Sequence, residues 1–418
     1  MKILILGSGL LGVTAAYELG KRGFDVTVIE RKDACAADTS FANGGQLSYS
    51  HAEPWASAAV LYKLPKWLLH SDSPLVFRPR ADPDMIRWGL AFLRNCTQFR
   101  ADTNTVSMLR LGLYSRKCMH ELMAQEKIDF DFSNKGILHI YSTDAELEHG
   151  KKQVEFQAKF GGEEKILTRD AVFALEPALT HSSQNIIGGI HAHHDESGNA
   201  HSFCLQLADI AKNKFGVKFE YGVSVIDIKK EGSQISSVVT NKGEMKADGY
   251  VMALGSYSPV YLKKIGINVP IYPMKGYSIT INANEFCPDL SITDGTHKIV
   301  YSHLGDKLRV AGTAEFAGYE HSINEKRIAP IVKAARSLLP KADWSQEISK
   351  WACLRPSTPD GPPIIGRTPY KNLFLNTGHG TLGWTHAAGS STLLADIMEN
   401  KTPEILLHGL TLGRYKKV

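Results

Sequence analysis

The chain opens with residues 1–32, MKILILGSGLLGVTAAYELGKRGFDVTVIERK, in which three glycines have the spacing G-x-G-x-x-G. Residues 2–6 form an apolar run of the length of a buried strand, and the apolar residues of 11–22 recur with the period of a helix. Residues 25–29 are again strand-like, and the acidic Glu30 follows them directly. The order strand, glycine turn, helix, strand and acid predicts the first half of a dinucleotide-binding fold.

Each residue of this motif has a physical task in holding a dinucleotide. Gly7 allows a tight turn, Gly9 lets a pyrophosphate approach the backbone, and Gly12 lets the helix pack closely on the strand. The helix N-terminus supplies free N–H groups and the positive end of its dipole. The carboxylate of Glu30 is placed to accept the ribose hydroxyls, and it disfavours NADP because it repels a 2′-phosphate. The motif alone does not separate NAD from FAD.

The composition indicates an ordinary globular protein with a large core. The chain has 418 residues, of which 43% are hydrophobic and 22% charged, and its net charge is +5. The length predicts two or three domains, and the mild charge without a basic tract predicts no nucleic-acid partner. The six cysteines show no C-x-x-C pair and no zinc spacing, so we expect no metal site and a reducing compartment. We expect a cytoplasmic protein, because no signal peptide precedes the first strand and no apolar run has membrane-spanning length.

A second glycine turn lies near the C-terminus, at residues 378–383 of GHGTLGWT, and precedes a helix predicted over 386–398. Between the two glycine turns, residues 260–349 read mainly as strands, with one helix near 330–339. We therefore predict a two-domain α/β (α+β) fold in which both domains are discontinuous. The predicted Rossmann-like cofactor domain comprises residues 1–50, 199–256 and 350–418, and the predicted antiparallel-β substrate domain comprises 51–198 and 257–349.

Together the two glycine turns resemble the FAD-dependent D-amino-acid oxidase superfamily, and within it the small subunits of bacterial D-amino-acid dehydrogenases. The resemblance covers nearly the whole chain. It implies FAD as the cofactor, because simple NAD dehydrogenases lack the late glycine turn and helix. The stretches that carry it further are TSFANGGQLS (39–48), AEPWA (52–56), DESGNAHSF (195–203), PMKGYSIT (273–280) and LRPSTPDGPPIIGRT (354–368).

The resemblance also implies which residues hold FAD. The first glycine motif would contact the pyrophosphate, Glu30 the adenosine ribose, and the backbone of Val225 the adenine. The Asn43 turn would line the flavin, and the late helix N-terminus would face its pyrimidine ring. The complete predicted set is Ile3, Leu6, Gly7, Ser8, Gly9, Leu10, Leu11, Gly12, Glu30, Arg31, Thr39, Ser40, Asn43, Gly44, Gly45, Val225, Gly380, Thr381 and Leu382.

Arg355 and Tyr277 are the residues predicted to act on the substrate. An amino-acid substrate presents a carboxylate, which the planar guanidinium of Arg355 can bind with two parallel hydrogen bonds. The hydroxyl of Tyr277 is predicted to bond the same carboxylate from a strand above the flavin. We do not expect His51 or His379 to be catalytic.

The resemblance implies oxidative deamination of D-amino acids, above all D-alanine, to 2-oxo acids and ammonia. Hydride would pass from the substrate α-carbon to flavin N5, and the electrons would continue to a quinone or another respiratory acceptor. Two alternatives stay open. One is an oxygen-using oxidase of glycine, sarcosine or another secondary amine, and the other is the flavin subunit of a larger amine dehydrogenase complex.

Two further stretches carry separate expectations. Cys353 lies in CLRPSTPD, a spacing in which related sarcosine oxidases bond the flavin through a cysteine; here we expect a small buried residue instead. Residues 54–69, PWASAAVLYKLPKWLL, combine tryptophans, leucines and lysines in a way that suits peripheral contact with the inner face of a membrane. The alternative is that this segment packs on the substrate domain.

Overall fold

The computed structural model describes residues 1–61, 75–78 and 80–415. Within these ranges no helix is both long and apolar enough to cross a membrane. The segment predicted to contact a membrane is described only in part, because residues 62–69 lie outside the described ranges. In the part that is described, Trp55 and Leu61 are exposed.

Strands from all parts of the chain build the framework of the protein. In chain order they are β1 (Lys2–Leu6), β2 (Asp25–Glu30), β3 (Gln46–Leu47), β4 (Leu75–Phe77), β5 (Ile137–Tyr141), β6 (Lys165–Thr168), β7 (Gly188–Ala192), β8 (Glu196–Ser197), β9 (Lys218–Tyr221), β10 (Val225–Glu231), β11 (Gln234–Thr240), β12 (Gly243–Met245), β13 (Gly249–Met252), β14 (Tyr272–Asn282), β15 (Ser291–Asp294), β16 (Ile299–Leu304), β17 (Lys307–Phe316), β18 (Ser349–Ser357), β19 (Ile364–Arg367) and β20 (Leu373–Thr377).

The helices have recognisable start and stop signals. The helix after Asp82 begins with that side chain accepting from the Asp84 N–H, and the helix after Asn199 ends at Gly216, whose φ is +70°. In chain order they are α1 (Leu10–Lys21), α2 (Pro83–Asn95), α3 (Gln98–Gln125), α4 (Asp144–Ala158), α5 (Arg169–Leu175), α6 (Ala200–Phe215), α7 (Ser258–Leu262), α8 (Glu325–Leu338) and α9 (Gly383–Met398).

The first sheet is the predicted dinucleotide-binding sheet. Its strands pair in the order β19-β20-β13-β1-β2-β9, and only the β19–β20 pair of this path is antiparallel. Such strands are covered on both faces, which explains why the burial of β1 and β13 is nearly continuous. One face of this sheet packs on α1, α3, α6 and α9.

The second sheet is mainly antiparallel and follows the order β18-β14-β17-β16-β15-β5-β7-β6, with β4 beside β17. Its one parallel contact on this path joins β15 to β5. Helix α8 covers one face, where Ile328 and Ile331 pack with Ile279 of β14. The opposite face looks toward the first sheet. This is the predicted α/β arrangement of a Rossmann-like unit and an antiparallel unit.

The structure changes several predicted boundaries. Gly222 turns the chain between β9 and β10 with a φ of +65°. Strand β18 belongs to the second sheet, although the predicted cofactor domain includes residues 350–357. Helix α3 packs on α9, where a Cβ at Gly389 would lie 2.8 Å from Ser115, although residues 98–125 fall within the predicted substrate domain.

Candidate active site

A cavity of about 910 Å³ lies between the two sheets. The C-terminal ends of β1 and β2 border it on one side, and the inner face of the second sheet borders it on the other. Most of the predicted site residues line this one cavity. They are Gly7, Gly9, Leu10, Leu11, Glu30, Arg31, Thr39, Ser40, Asn43, Gly44, Gly45, Val225, Tyr277, Arg355, Gly380, Thr381 and Leu382, whereas Ile3, Leu6, Ser8 and Gly12 lie behind the cavity wall.

The three glycines of the first motif have different reasons to be glycine. Gly7 has a φ of +99°, and a Cβ there would lie 2.8 Å from the Ala253 carbonyl oxygen. A Cβ at Gly12 would lie 1.9 Å from the Gly7 carbonyl oxygen, so these two glycines are required by the polypeptide itself. A Cβ at Gly9 would meet nothing closer than Ser40 Oγ at 3.5 Å, an ordinary contact. Gly9 is therefore open toward the cavity, as a pyrophosphate-binding glycine must be.

Two helix N-termini reach the same cavity without a side-chain cap. Helix α1 follows Gly9, and helix α9 follows the Gly380 turn, whose φ is +53°. The first N–H of α1, at Leu10, donates to Ser40 Oγ at 3.1 Å. The positive ends of two helix dipoles therefore point at one space, which suits a ligand that carries negative charge at two places. A dinucleotide flavin has this character, so the residues present fit FAD.

Glu30 and its neighbours form the ribose and adenine end. The carboxylate of Glu30 accepts from the Ser8 N–H at 3.0 Å, from Ser8 Oγ at 3.2 Å and from the Lys32 N–H at 3.0 Å, which fixes its orientation at the cavity edge. The guanidinium of Arg31 lies 4.2 Å from the centre of the Tyr257 ring. The carbonyl of Val225 accepts from Tyr261 Oη at 2.8 Å, so this carbonyl already has a partner.

Arg355 lies on β18 and extends over β14 at Gly276. A Cβ at Gly276 would come within 2.4 Å of the guanidinium carbon, so only glycine leaves room for this side chain. Among the described residues, no hydrogen bond or ion pair is found for the guanidinium. Burial lowers the pKa of Arg355 from its ordinary value, since removal from water disfavours the cation. The cavity thus holds an arginine without a counter-ion, and a carboxylate ligand would supply one.

Tyr277 borders the cavity, but its hydroxyl has another partner. Side chains alternate along β14, so Tyr277 and Lys275 lie on the face opposite to Gly276. The Tyr277 hydroxyl donates to the buried Glu315 carboxylate, and Lys275 Nζ lies 3.4 Å from the same carboxylate. The structure therefore brings Arg355 toward the cavity, while the Tyr277 hydroxyl is held in a buried ionic cluster and not at the predicted carboxylate position.

The structure also shows the surroundings of His379, His51 and Cys353. His379 Nε2 lies 2.9 Å from Ser390 Oγ in a fully buried environment, which fits a structural role. His51 opens into the cavity, where its ring centre is 5.0 Å from that of His139. Cys353 lines the cavity but is only 6% exposed, and burial raises its pKa to about 11.

Sequence reasoning missed part of the cavity wall on the second sheet. His139, Tyr141, Thr293 and Lys298 line the cavity far from any glycine motif. A single histidine inside an apolar strand such as β5 gives no signal of its own. Only the pairing of β5 with β15, about 150 residues away in the chain, brings His139 to the site.

Comparisons with known proteins show the family to which the chain belongs. The family model for FAD dependent oxidoreductases, called DAO, matches residues 2–397. A D-amino acid dehydrogenase from Paramagnetospirillum magneticum is 44% identical over 99% of this chain and 99% of its own, and a D-amino acid dehydrogenase 1 from Mesorhizobium japonicum is 42% identical over all of both chains. The crystal structure of glycine oxidase from Geobacillus kaustophilus has the same fold, with a TM-score of 0.79 and 20% identity over 99% of each chain.

Gly9→Ala and Gly12→Ala should separate the ligand contact from the packing contact. We expect Gly9→Ala to leave the melting temperature of the FAD-free protein unchanged but to lower FAD affinity, because its Cβ would enter only the cavity. Gly12→Ala should lower the melting temperature as well, since its overpacking costs about 1–3 kcal/mol. Thermal unfolding of the apoprotein and titration with FAD measure both effects. Gly89→Ala is the control, because a Cβ there meets nothing within 4 Å; equal effects of all three variants would contradict this account.

We predict that Cys353 does not bond FAD covalently. A thiol with a pKa of about 11 is almost entirely protonated at pH 7 to 8, and the thiol is a poor nucleophile. On a denaturing gel the chain should show no flavin fluorescence, and acid precipitation should release all of the flavin. A fluorescent band that disappears in Cys353→Ala would refute the prediction.

Proposed function

The chain belongs to the DAO family of FAD-dependent oxidoreductases, and from that membership we propose that it oxidatively deaminates D-amino acids, D-alanine among them, to 2-oxo acids and ammonia. The family confirms the fold class and the FAD cofactor predicted from the sequence. The observation that best supports the substrate class is the Arg355 guanidinium, which enters the cofactor cavity without a counter-ion. The D configuration rests on the names of the relatives, which are 42–44% identical to this chain.

FAD, when bound, supplies a two-electron acceptor for the hydride on the substrate α-carbon. The residues of the chain would bind the cofactor and the substrate and orient them toward each other. The N–H groups at the start of α1 and the open side of Gly9 would hold the pyrophosphate, and Glu30 would accept from the ribose. The N-terminus of α9 would offer its positive dipole end to the flavin and stabilise negative charge there.

Arg355 would fix the substrate by its carboxylate. Two parallel N–H···O bonds define both the position and the tilt of the carboxylate plane, and therefore the direction of the α-hydrogen. Such orientation converts binding energy into a favourable reaction geometry. The neighbouring Gly276 is needed for this arrangement, because its lack of a side chain lets the guanidinium lie against β14.

For the electrons we propose a quinone or another respiratory carrier, since the relatives are named dehydrogenases. Contact of residues 54–69 with the inner face of a membrane would bring the site near a carrier dissolved in lipid. In the described part of this segment, residues 54–61, Trp55 and Leu61 are exposed. An oxygen-using oxidase and a flavin subunit of a larger complex are the competing proposals. They differ from ours in the acceptor and in the need for a partner chain.

The purified protein should be yellow, and D-alanine added without oxygen should bleach its flavin absorbance while L-alanine should not. In air, turnover with a quinone analogue should proceed with little hydrogen peroxide. Reduction by L-alanine alone would contradict the proposed stereochemistry. Stoichiometric peroxide would favour the oxidase, and activity that requires a co-purifying chain would favour the complex.

Arg355→Lys should raise KM for D-alanine and lower kcat, because a point charge replaces a planar fork. Loss of a charge-assisted hydrogen bond costs about 1.5–3 kcal/mol, so kcat/KM should fall about 10- to 100-fold. FAD content should stay that of the wild type. Arg336→Lys is the control, since Arg336 is exposed on α8 and donates only to the Trp344 carbonyl. Wild-type kinetics in Arg355→Lys would place the carboxylate site elsewhere.

A further inference from the structure

The cavity extends across the second sheet well beyond the Arg355 guanidinium. Four strand spacings separate β14, on which the guanidinium lies, from β5, and at about 4.8 Å each they span roughly 19 Å along the sheet. On the strands between, Gly312, Val300 and Thr293 line the same cavity, and Val300 lies against Gly44. The cavity that contains Arg355 therefore reaches as far as β5.

The far end of this space is a polar pocket, here called the histidine pocket. None of its members belongs to the set of residues predicted to hold FAD. They all line the cavity and come from the loop after β3, from β5, from α4 and from the turn before β16. They are His51, Glu53, His139, Tyr141, His149 and Lys298.

His139 is a buried imidazole that lines the histidine pocket. Its side chain is only 4% exposed, and its Nε2 atom has no hydrogen-bond partner among the described residues. His51 lies beside it, is accessible from the cavity and has no described hydrogen-bond partner for its ring. Two adjacent imidazoles therefore face a space that a polar group can enter.

The charges around the pocket favour a ligand group without net charge. Burial, with the nearby Lys298, lowers the pKa of both His51 and His139, so both rings are neutral near pH 7. A neutral imidazole offers one donor and one acceptor. The Lys298 ammonium and the Glu53 carboxylate have opposite charges, and Glu53 also has His149 Nε2 at 3.2 Å. Because charges of both signs are already present, an uncharged amide, which can both donate and accept, suits the pocket.

We propose that the histidine pocket binds the side chain of the substrate and favours D-amino acids with long, uncharged, hydrogen-bonding side chains such as that of D-glutamine. This inference rests on the proposed function, because it assumes that Arg355 holds the α-carboxylate of a D-amino acid. It assigns His51 and His139 the selection of side chains. Neither residue takes part in the redox step.

The test compares D-glutamine with D-methionine, which has a similar length but lacks the amide. With an artificial acceptor at pH 7.5, wild type should have the higher kcat/KM for D-glutamine. His139→Leu and His51→Leu should each lower the glutamine-to-methionine ratio about tenfold, and His139→Gln should restore part of it. His51→Leu removes no buried packing, so it keeps the test valid if His139→Leu does not fold.

His191→Leu is the matched control. His191 lies on β7, next to β5, but its Nε2 lies 3.1 Å from the Lys135 carbonyl oxygen and it does not line the cavity, so the ratio should not change. Turnover of D-methionine with an unchanged ratio in both leucine variants would overturn the inference and leave the proposed function standing. A wild-type preference for D-glutamate or D-lysine over D-glutamine would also overturn the inference. The same holds if His51→Leu and His139→Leu change only the KM for a quinone. Flavin that no D-amino acid reduces would instead refute the proposed function.

Discussion

One short stretch of chain, residues 42–45, is hydrogen-bonded across the cavity face of the second sheet. Buried backbone carbonyl groups need hydrogen-bond donors. Each of the four consecutive carbonyls in this stretch accepts a hydrogen bond from a different part of the fold. Since three of the donors stand on three adjacent strands, the stretch cannot slide along the sheet without losing several bonds at once. The crossing forms part of the cavity wall, because residues 42–45 all line the cavity. The carbonyls of Ala42, Asn43, Gly44 and Gly45 accept from Ser278 Oγ, Arg309 Nη1, Ser302 Oγ and the Gly198 N–H at 2.7, 3.0, 2.7 and 2.8 Å.

The second sheet carries a buried charged cluster whose members pair with one another and an arginine that has no described counter-ion. Lys275 and Glu315 are fully buried, and each has partners: Lys275 Nζ is 3.0 Å from the Ser322 carbonyl, and Glu315 accepts from Tyr277 and Arg78. On the other face of β14, across from that compensated cluster, Arg355 has no described counter-ion. A charge left unpaired in an enclosed site lowers stability, because desolvation is not repaid until an anion arrives. The unpaired guanidinium of Arg355 is free to bind a substrate carboxylate. Tyr277, which was predicted from the sequence to bind the same carboxylate, donates its hydroxyl hydrogen to Glu315 of the compensated cluster.

The sequence predicted the cofactor end of the cavity in detail because that end is built from local rules. Gly7, Gly9 and Gly12 lie together in one turn and the start of one helix, so their spacing is visible in the sequence, although Gly7 also packs on the distant Ala253. The substrate end follows from strand order, which links β5 to β15 and β18 to β14 across long stretches of chain. A shift of one residue along a strand reverses the face of a side chain. The bond from the Tyr277 hydroxyl to Glu315 on the neighbouring strand was therefore not visible in the sequence, and His139 was not predicted at all.

This difference has a chemical cause. A pyrophosphate is recognised by backbone N–H groups and a helix dipole, which every sequence possesses, so the chain need only supply glycines to expose them. A side chain of a substrate is recognised by other side chains, and these are free to vary without altering the backbone that carries them. The parallel sheet therefore fixes the place of the reaction. The inner face of the antiparallel sheet, from Arg355 across to His139, is where substrate selection can change while the fold and the cofactor site stay the same.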